Sequence, residues 1–154
     1  MAGGFPPCGL YRTTEPIGSV PAGRLVFFHD HGNPGPGIYL PESWSHNRAR
    51  FSTKGTTIES AAVAGTLQPL LAEGLYRVEE EFTCCERDCK TFRVDTLLQL
   101  GYDGAATPIL FSPMWTPDGL VFPQSGQRVD NLRLSRLGQL LVSEGEKENR
   151  HSYH

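Results

Sequence analysis

Gly9-Leu10-Tyr11-Arg12 returns further along the chain as Gly74-Leu75-Tyr76-Arg77, and residues 38–74 overlay residues 109–145 without a gap. In that overlay Ile38 falls on Ile109, Trp44 on Trp115, Phe51 on Phe122, Gly55 on Gly126, Gln68 on Gln139, Leu70 on Leu141 and Glu73 on Glu144. Leu40 meets Phe111, Ile58 meets Val129 and Glu59 meets Asp130, so apolar, acidic and turn positions keep one order. The pattern predicts a tandem duplication: a first unit over residues 1–73, a second over 74–145 and a flexible tail over 146–154. A unit of about 65 to 70 residues buries only a modest share of its surface, so two copies gain by sharing an interface.

The 154 residues are 38% hydrophobic and 10% aromatic, which suits ordinary globular packing. Seventeen glycines and twelve prolines punctuate short apolar runs, the pattern of an all-β chain with minor α content. In the first copy the runs are 10–13, 24–29, 37–40, 49–52 and 56–58; in the second they are 75–83, 90–100, 108–111, 120–122 and 127–129. Five short strands in so small a unit manage their edges best by curling up, so each copy is expected to form an SH3-like barrel. An OB-like barrel or one merged β-sandwich are the alternatives. Val20-Pro21-Ala22-Gly23, Lys54-Gly55 and Ser125-Gly126 read as turns. Residues 60–64 and 131–142 follow the strands as short helical or irregular segments, although Leu132 and Leu134 also fit the inward positions of a strand.

A formal charge of −3 gives no electrostatic case for nucleic acid. No stretch approaches the roughly 18 apolar residues that span a membrane. The opening Met1-Ala2-Gly3-Gly4-Phe5-Pro6-Pro7 has neither a cationic start nor an apolar run, so a cytoplasmic setting is expected, with thiols or metal ligands favoured over disulfides for the four cysteines. Phosphate-binding glycine loops, nucleophile elbows and His-Glu-x-x-His helices are missing from the sequence, and the expectation leans away from an enzyme.

Positions matched between the copies are explained by a shared fold, which assigns Trp44 and Trp115 to packing; a specialised site belongs where the copies differ. Two segments differ. The first runs from Phe28 to Gly37 and contains His29, Asp30 and His31, where the second copy has no histidine. In an extended chain His29 and His31 share a face and can present two imidazoles to one metal. The plainer reading is a polar strand end entering a turn. Tyr39 and the alternating His46, Arg48 and Arg50 complete a candidate partner-binding surface, the arginine row also fitting a solvated edge strand. The second segment, an insertion over residues 82–91, carries Cys84, Cys85 and Cys89, which could hold zinc at a hairpin tip with Cys8 or a histidine as fourth ligand, although the spacing matches no zinc knuckle. The leading expectation is a non-catalytic protein-binding or adapter module. A metal-binding protein or metal-dependent enzyme, and a self-associating structural subunit of a larger assembly, are the competing classes.

Overall fold

The computed structural model describes residues 4–32, 35–85 and 90–141. The expected flexible tail, 146–154, lies outside them. The chain is mostly β. Its first half contains β1 (Gly9–Arg12), β2 (Leu25–His29), β3 (Gly37–Tyr39), β4 (Pro41–Ser45), β5 (Arg48–Phe51), β6 (Thr56–Thr57), helix α1 (Ala61–Ala64) and β7 (Gln68–Pro69). Its second half contains β8 (Gly74–Val78), β9 (Phe82–Thr83), β10 (Thr91–Phe92), β11 (Leu97–Tyr102), β12 (Pro108–Phe111), β13 (Met114–Thr116), β14 (Gly119–Val121), β15 (Gln127–Arg128), a 3-10 helix (Asn131–Arg136) and β16 (Leu137–Gln139).

These strands build two five-stranded antiparallel sheets, ordered β6-β3-β2-β1-β7 and β15-β12-β11-β8-β16. Three two-stranded pairs, β4-β5, β9-β10 and β13-β14, stand apart from them. Both large sheets are open, because the outermost strands pair only inward. The closed SH3-like or OB-like barrel expected from the strand count is therefore not formed. The outer strands are only two or three residues long and offer too few ladder groups for closure, while β4-β5 and β13-β14 leave the sheets as separate ribbons. Such short edges are themselves a way to avoid unwanted strand pairing.

Several expected runs are broken more finely than their composition suggests. Residues 75–83 divide into β8 and β9, and residues 90–100 into β10 and β11. The second break falls at Asp95, whose φ of 68° takes it out of extended geometry and whose carboxylate pairs with Arg77. Ser60 caps α1 by accepting a hydrogen bond from the Val63 N–H at 3.1 Å. Asn131–Arg136 form the 3-10 helix and Leu137–Gln139 form β16, so Leu132 and Leu134 are not inward positions of a strand: both lie in the helix, Leu134 buried and Leu132 exposed.

Gly9 and Gly74 open β1 and β8 with φ of 155° and 141°, a region where glycine is favoured. Two residues on, Tyr11 and Tyr76 are buried and donate to the carbonyls of Pro7 and Ala72 at 2.6 and 2.7 Å. Each Gly-Leu-Tyr-Arg segment thus places an apolar ring in a core and satisfies its hydroxyl locally.

The cores are interlocked. One cluster contains Tyr11, Ile17, Val20, Val26, Phe28, Ile38, Ile58, Ala64 and Leu67, all from the first half. The other is built around Tyr76, Leu98, Leu100, Tyr102, Leu110 and Leu137, yet it also contains the fully buried Leu25 of β2 and packs against Leu10, Ala49, Phe51 and Leu70.

Candidate functional site

The pairing of β1 with β2 sets the first site. Gly9 is opposite Phe28, so the preceding residue, Cys8, comes opposite His29 at the end of β2. Directly opposed antiparallel residues share a face. The structure brings Cys8, His29 and His31 together: their ligating atoms all lie within 4.8 Å of one another. Cys8 Sγ is 3.4 Å from His31 Nδ1, and the two imidazole centroids are 5.0 Å apart. The Asp30 backbone N–H donates to Cys8 Sγ at 3.3 Å, which orients the thiol. On its other side His29 faces Gly37 of β3, a residue with no side chain to crowd it.

His29 stacks on Phe27 at 6.1 Å between centroids, and Phe27 meets Phe51 at 5.7 Å. Beside this strip is a cleft of about 470 Å³ lined by Cys8, Leu10, Phe27, Arg48, Phe51 and Glu73, among others. Glu73 accepts the Ala49 N–H at 3.0 Å. Burial pushes the Glu73 carboxyl above the usual carboxylate range, opposed by the Ala49 N–H and the Arg48 charge.

The remaining expected contact residues are dispersed. Tyr39 pairs with Phe27, and its ring lies over Gly55, where a Cβ would come within 2.6 Å of it. Gly55 and Gly126 are required by such close approaches rather than by positive φ. His46 does not continue a strand with Arg48 and Arg50: His46 and Asn47 form the two-residue tip between β4 and β5 with φ of 53° and 66°. Only Arg48 and Arg50 share an exposed face of β5.

The cysteine insertion is built differently from the expected zinc tip. Cys84 is fully buried in the second core and disulfide-bonded, so its sulfur offers no thiolate to a metal. Cys85 is half-buried, with its Sγ 3.6 Å from that of Cys84; Cys89 lies outside the described residues. Neither Cys84 nor Cys85 joins a metal-binding cluster among the described residues.

The ribbon β4-β5 docks on the second half. Trp44 Nε1–H donates to the Tyr102 carbonyl at 2.8 Å, Asn47 donates through Nδ2 to Gln99 Oε1 and the Pro123 carbonyl at 2.9 Å each, and Gln99 Nε2 donates to the His46 carbonyl at 3.0 Å. Gly101 lets the tip approach: a Cβ there would come within 2.7 Å of the Asn47 carbonyl oxygen. Ribbon β13-β14 is differently placed. Trp115, expected to pack in the fold, is 81% exposed, against 44% for Trp44. Its cross-strand partner Leu120 and the neighbouring pair Met114 and Val121 are exposed too. Met114 and Val121 correspond to Ser43 and Arg50 of the first ribbon, so the second is apolar on both faces. The match between Trp44 and Trp115 hides this surface in the sequence; the unmatched Met114 and Val121 beside Trp115 are the signal that separates the two ribbons.

Comparison with known proteins finds no matching family model, no similar curated protein and no similar solved structure.

Proposed function

We propose that the chain is a non-catalytic protein-binding module in which one β unit occurs twice, over residues 1–73 and 74–145, and that ribbon β13-β14 is its principal contact surface. The duplication is supported by the corresponding strand orders of the two sheets and by the repeated Tyr11 and Tyr76 hydrogen bonds.

The observation that carries the function is Trp115, 81% exposed on a ribbon whose second face is also apolar. A lone two-stranded ribbon is only marginally stable in water, and exposed apolar side chains on both faces gain by being covered. The first ribbon meets this need inside the chain, through Trp44 and Asn47. At the second tip Asp118 stands in the place of Asn47 and can only accept. The partner therefore presents an apolar surface with hydrogen-bond donors beside it. Arg48 and Arg50, exposed on β5, and His29, Asp30 and His31, at and just after the end of β2, are separate polar contact candidates outside that ribbon.

A disulfide at Cys84 favours an oxidising compartment over the cytoplasmic one, where thiols are kept reduced. No helix among the described residues is long and apolar enough to cross a membrane.

The test is a photo-crosslinking residue in place of Leu120 in the full chain, expressed in its native cells. The expected result is an adduct with one other protein that disappears when Trp115→Ser is added while the melting temperature holds. An adduct between two copies would make the chain a self-assembling subunit instead, and no adduct would remove the ribbon as a contact surface.

A further inference from the structure

The geometry points to a transition-metal site at Cys8, His29 and His31, formed by one thiolate and two imidazoles with a fourth position left for solvent or for a donor from a bound partner. Gly9 opposite Phe28 sets Cys8 across from His29, and the two-residue spacing adds His31 to the same face. A tetrahedral zinc centre with ordinary bond lengths separates its ligand atoms by about 3.4 to 3.6 Å. Cys8 Sγ and His31 Nδ1 already stand 3.4 Å apart. All three donor atoms fall within 4.8 Å, so side-chain rotation of about 1 Å completes the set.

The donor set selects the class of cation. Thiolate and imidazole favour borderline-soft divalent ions such as zinc over calcium or magnesium, which take oxygen ligands. Binding replaces the Cys8 S–H bond with a sulfur-metal bond, and the proton leaves to solvent. The hydrogen bond from the Asp30 N–H stabilises the resulting thiolate and holds it toward the histidines.

The second half shows that this set is specific to the first. Glu73, Gly101 and Asp103 stand at the corresponding positions, and there the tip of β4-β5 packs on Gly101. The face that receives a ribbon in the second half thus carries the three ligands in the first. His31 is exposed and His29 half-buried, so the fourth position is open to incoming groups.

Zinc titration of the full chain under anaerobic conditions that leave the Cys84 disulfide intact tests the site, with cobalt as a spectroscopic probe. The expected result is one zinc per chain at micromolar metal, and a cobalt complex with a thiolate charge-transfer band. Cys8→Ser and His31→Ala should each weaken zinc binding by more than about tenfold, since even a group that only supports a ligand costs that much. Cys8→Ser keeps an acceptor for the Asp30 N–H and should melt like the wild type without metal. Cys85→Ser should leave zinc affinity unchanged. Failure of the wild type to take up stoichiometric zinc, or wild-type affinity in both Cys8→Ser and His31→Ala, would overturn the site. Neither result bears on ribbon β13-β14, which lies in the other half.

Discussion

Gln99 and Gly101, adjacent outward positions of β11, hold the two halves together by opposite means. Gln99 is a buried amide with both ends engaged, accepting from Asn47 and donating to the His46 carbonyl. Gln99→Leu strands those groups and should cost about 1 to 3 kcal/mol in urea unfolding. Gly101→Ala drives a methyl against the Asn47 carbonyl, a backbone atom that cannot swing aside, and should cost about 1 to 3 kcal/mol. Wild-type stability in both variants would mean that the ribbon is not docked on β11. Glu73 adds a pH dependence. Its folded-state pKa is raised by burial, so the folded chain holds a proton that the unfolded chain releases. That contribution is complete below the unfolded carboxylate pKa and is lost as pH rises through the raised one. Glu73→Gln, which keeps an acceptor for Ala49, should therefore melt above the wild type at neutral pH, and the gap should close on acidification; a gap that widens in acid would contradict the assignment. At this scale the sequence was only partly legible. The His29-x-His31 spacing was visible because it is local. Cys8 was not tied to that pair, since it joins them through the register of β1 on β2, which depends on the folded sheet.

The strands themselves were readable where composition and structure agree. Val26 and Phe28 alternate inward with Phe27 and His29 outward, and Leu98, Leu100 and Tyr102 supply the corresponding inward row of β11. Two breaks differ from the expected runs: the positive φ of Asp95 interrupts extended geometry between β10 and β11, and His46 and Asn47 form a two-residue hairpin turn, which takes positive φ at both residues. Strand number is legible in the sequence and closure into barrels is not, because whether β4-β5 stays in its sheet or docks elsewhere depends on the other half. The ribbons lead to a direct prediction at this scale. Met114→Ser with Val121→Arg gives β13-β14 the polar outer face of β4-β5. Surface changes of this kind usually alter stability by less than about 0.5 kcal/mol. Crosslinking from position 120 should fall, and the protein should remain folded by circular dichroism. A collapse in stability would show that Met114 and Val121 serve packing within the chain.

Across the whole molecule, the two halves share more than a junction. Leu25 belongs to β2 but lies in the second core, its N–H donates to the Gly104 carbonyl at 2.9 Å, and Tyr102 donates to the Leu71 carbonyl at 2.8 Å. Interlocking of this kind predicts one cooperative thermal transition with equal calorimetric and van't Hoff enthalpies, whereas independent units would melt in two steps. Ribbon β4-β5 is docked within the chain through Trp44 and Asn47, while Trp115 on β13-β14 is exposed. The chain contains two tryptophans, one on each ribbon, so Trp44→Phe leaves Trp115 as the sole indole. The decisive measurement is the fluorescence of that variant, with and without the partner recovered by crosslinking. The account predicts that free Trp115 emits as a solvated indole and is readily quenched by iodide, and that the partner shifts its emission to shorter wavelength and protects it. Trp115 emission and quenching that stay the same in the complex would contradict the claim that β13-β14 is the contact surface.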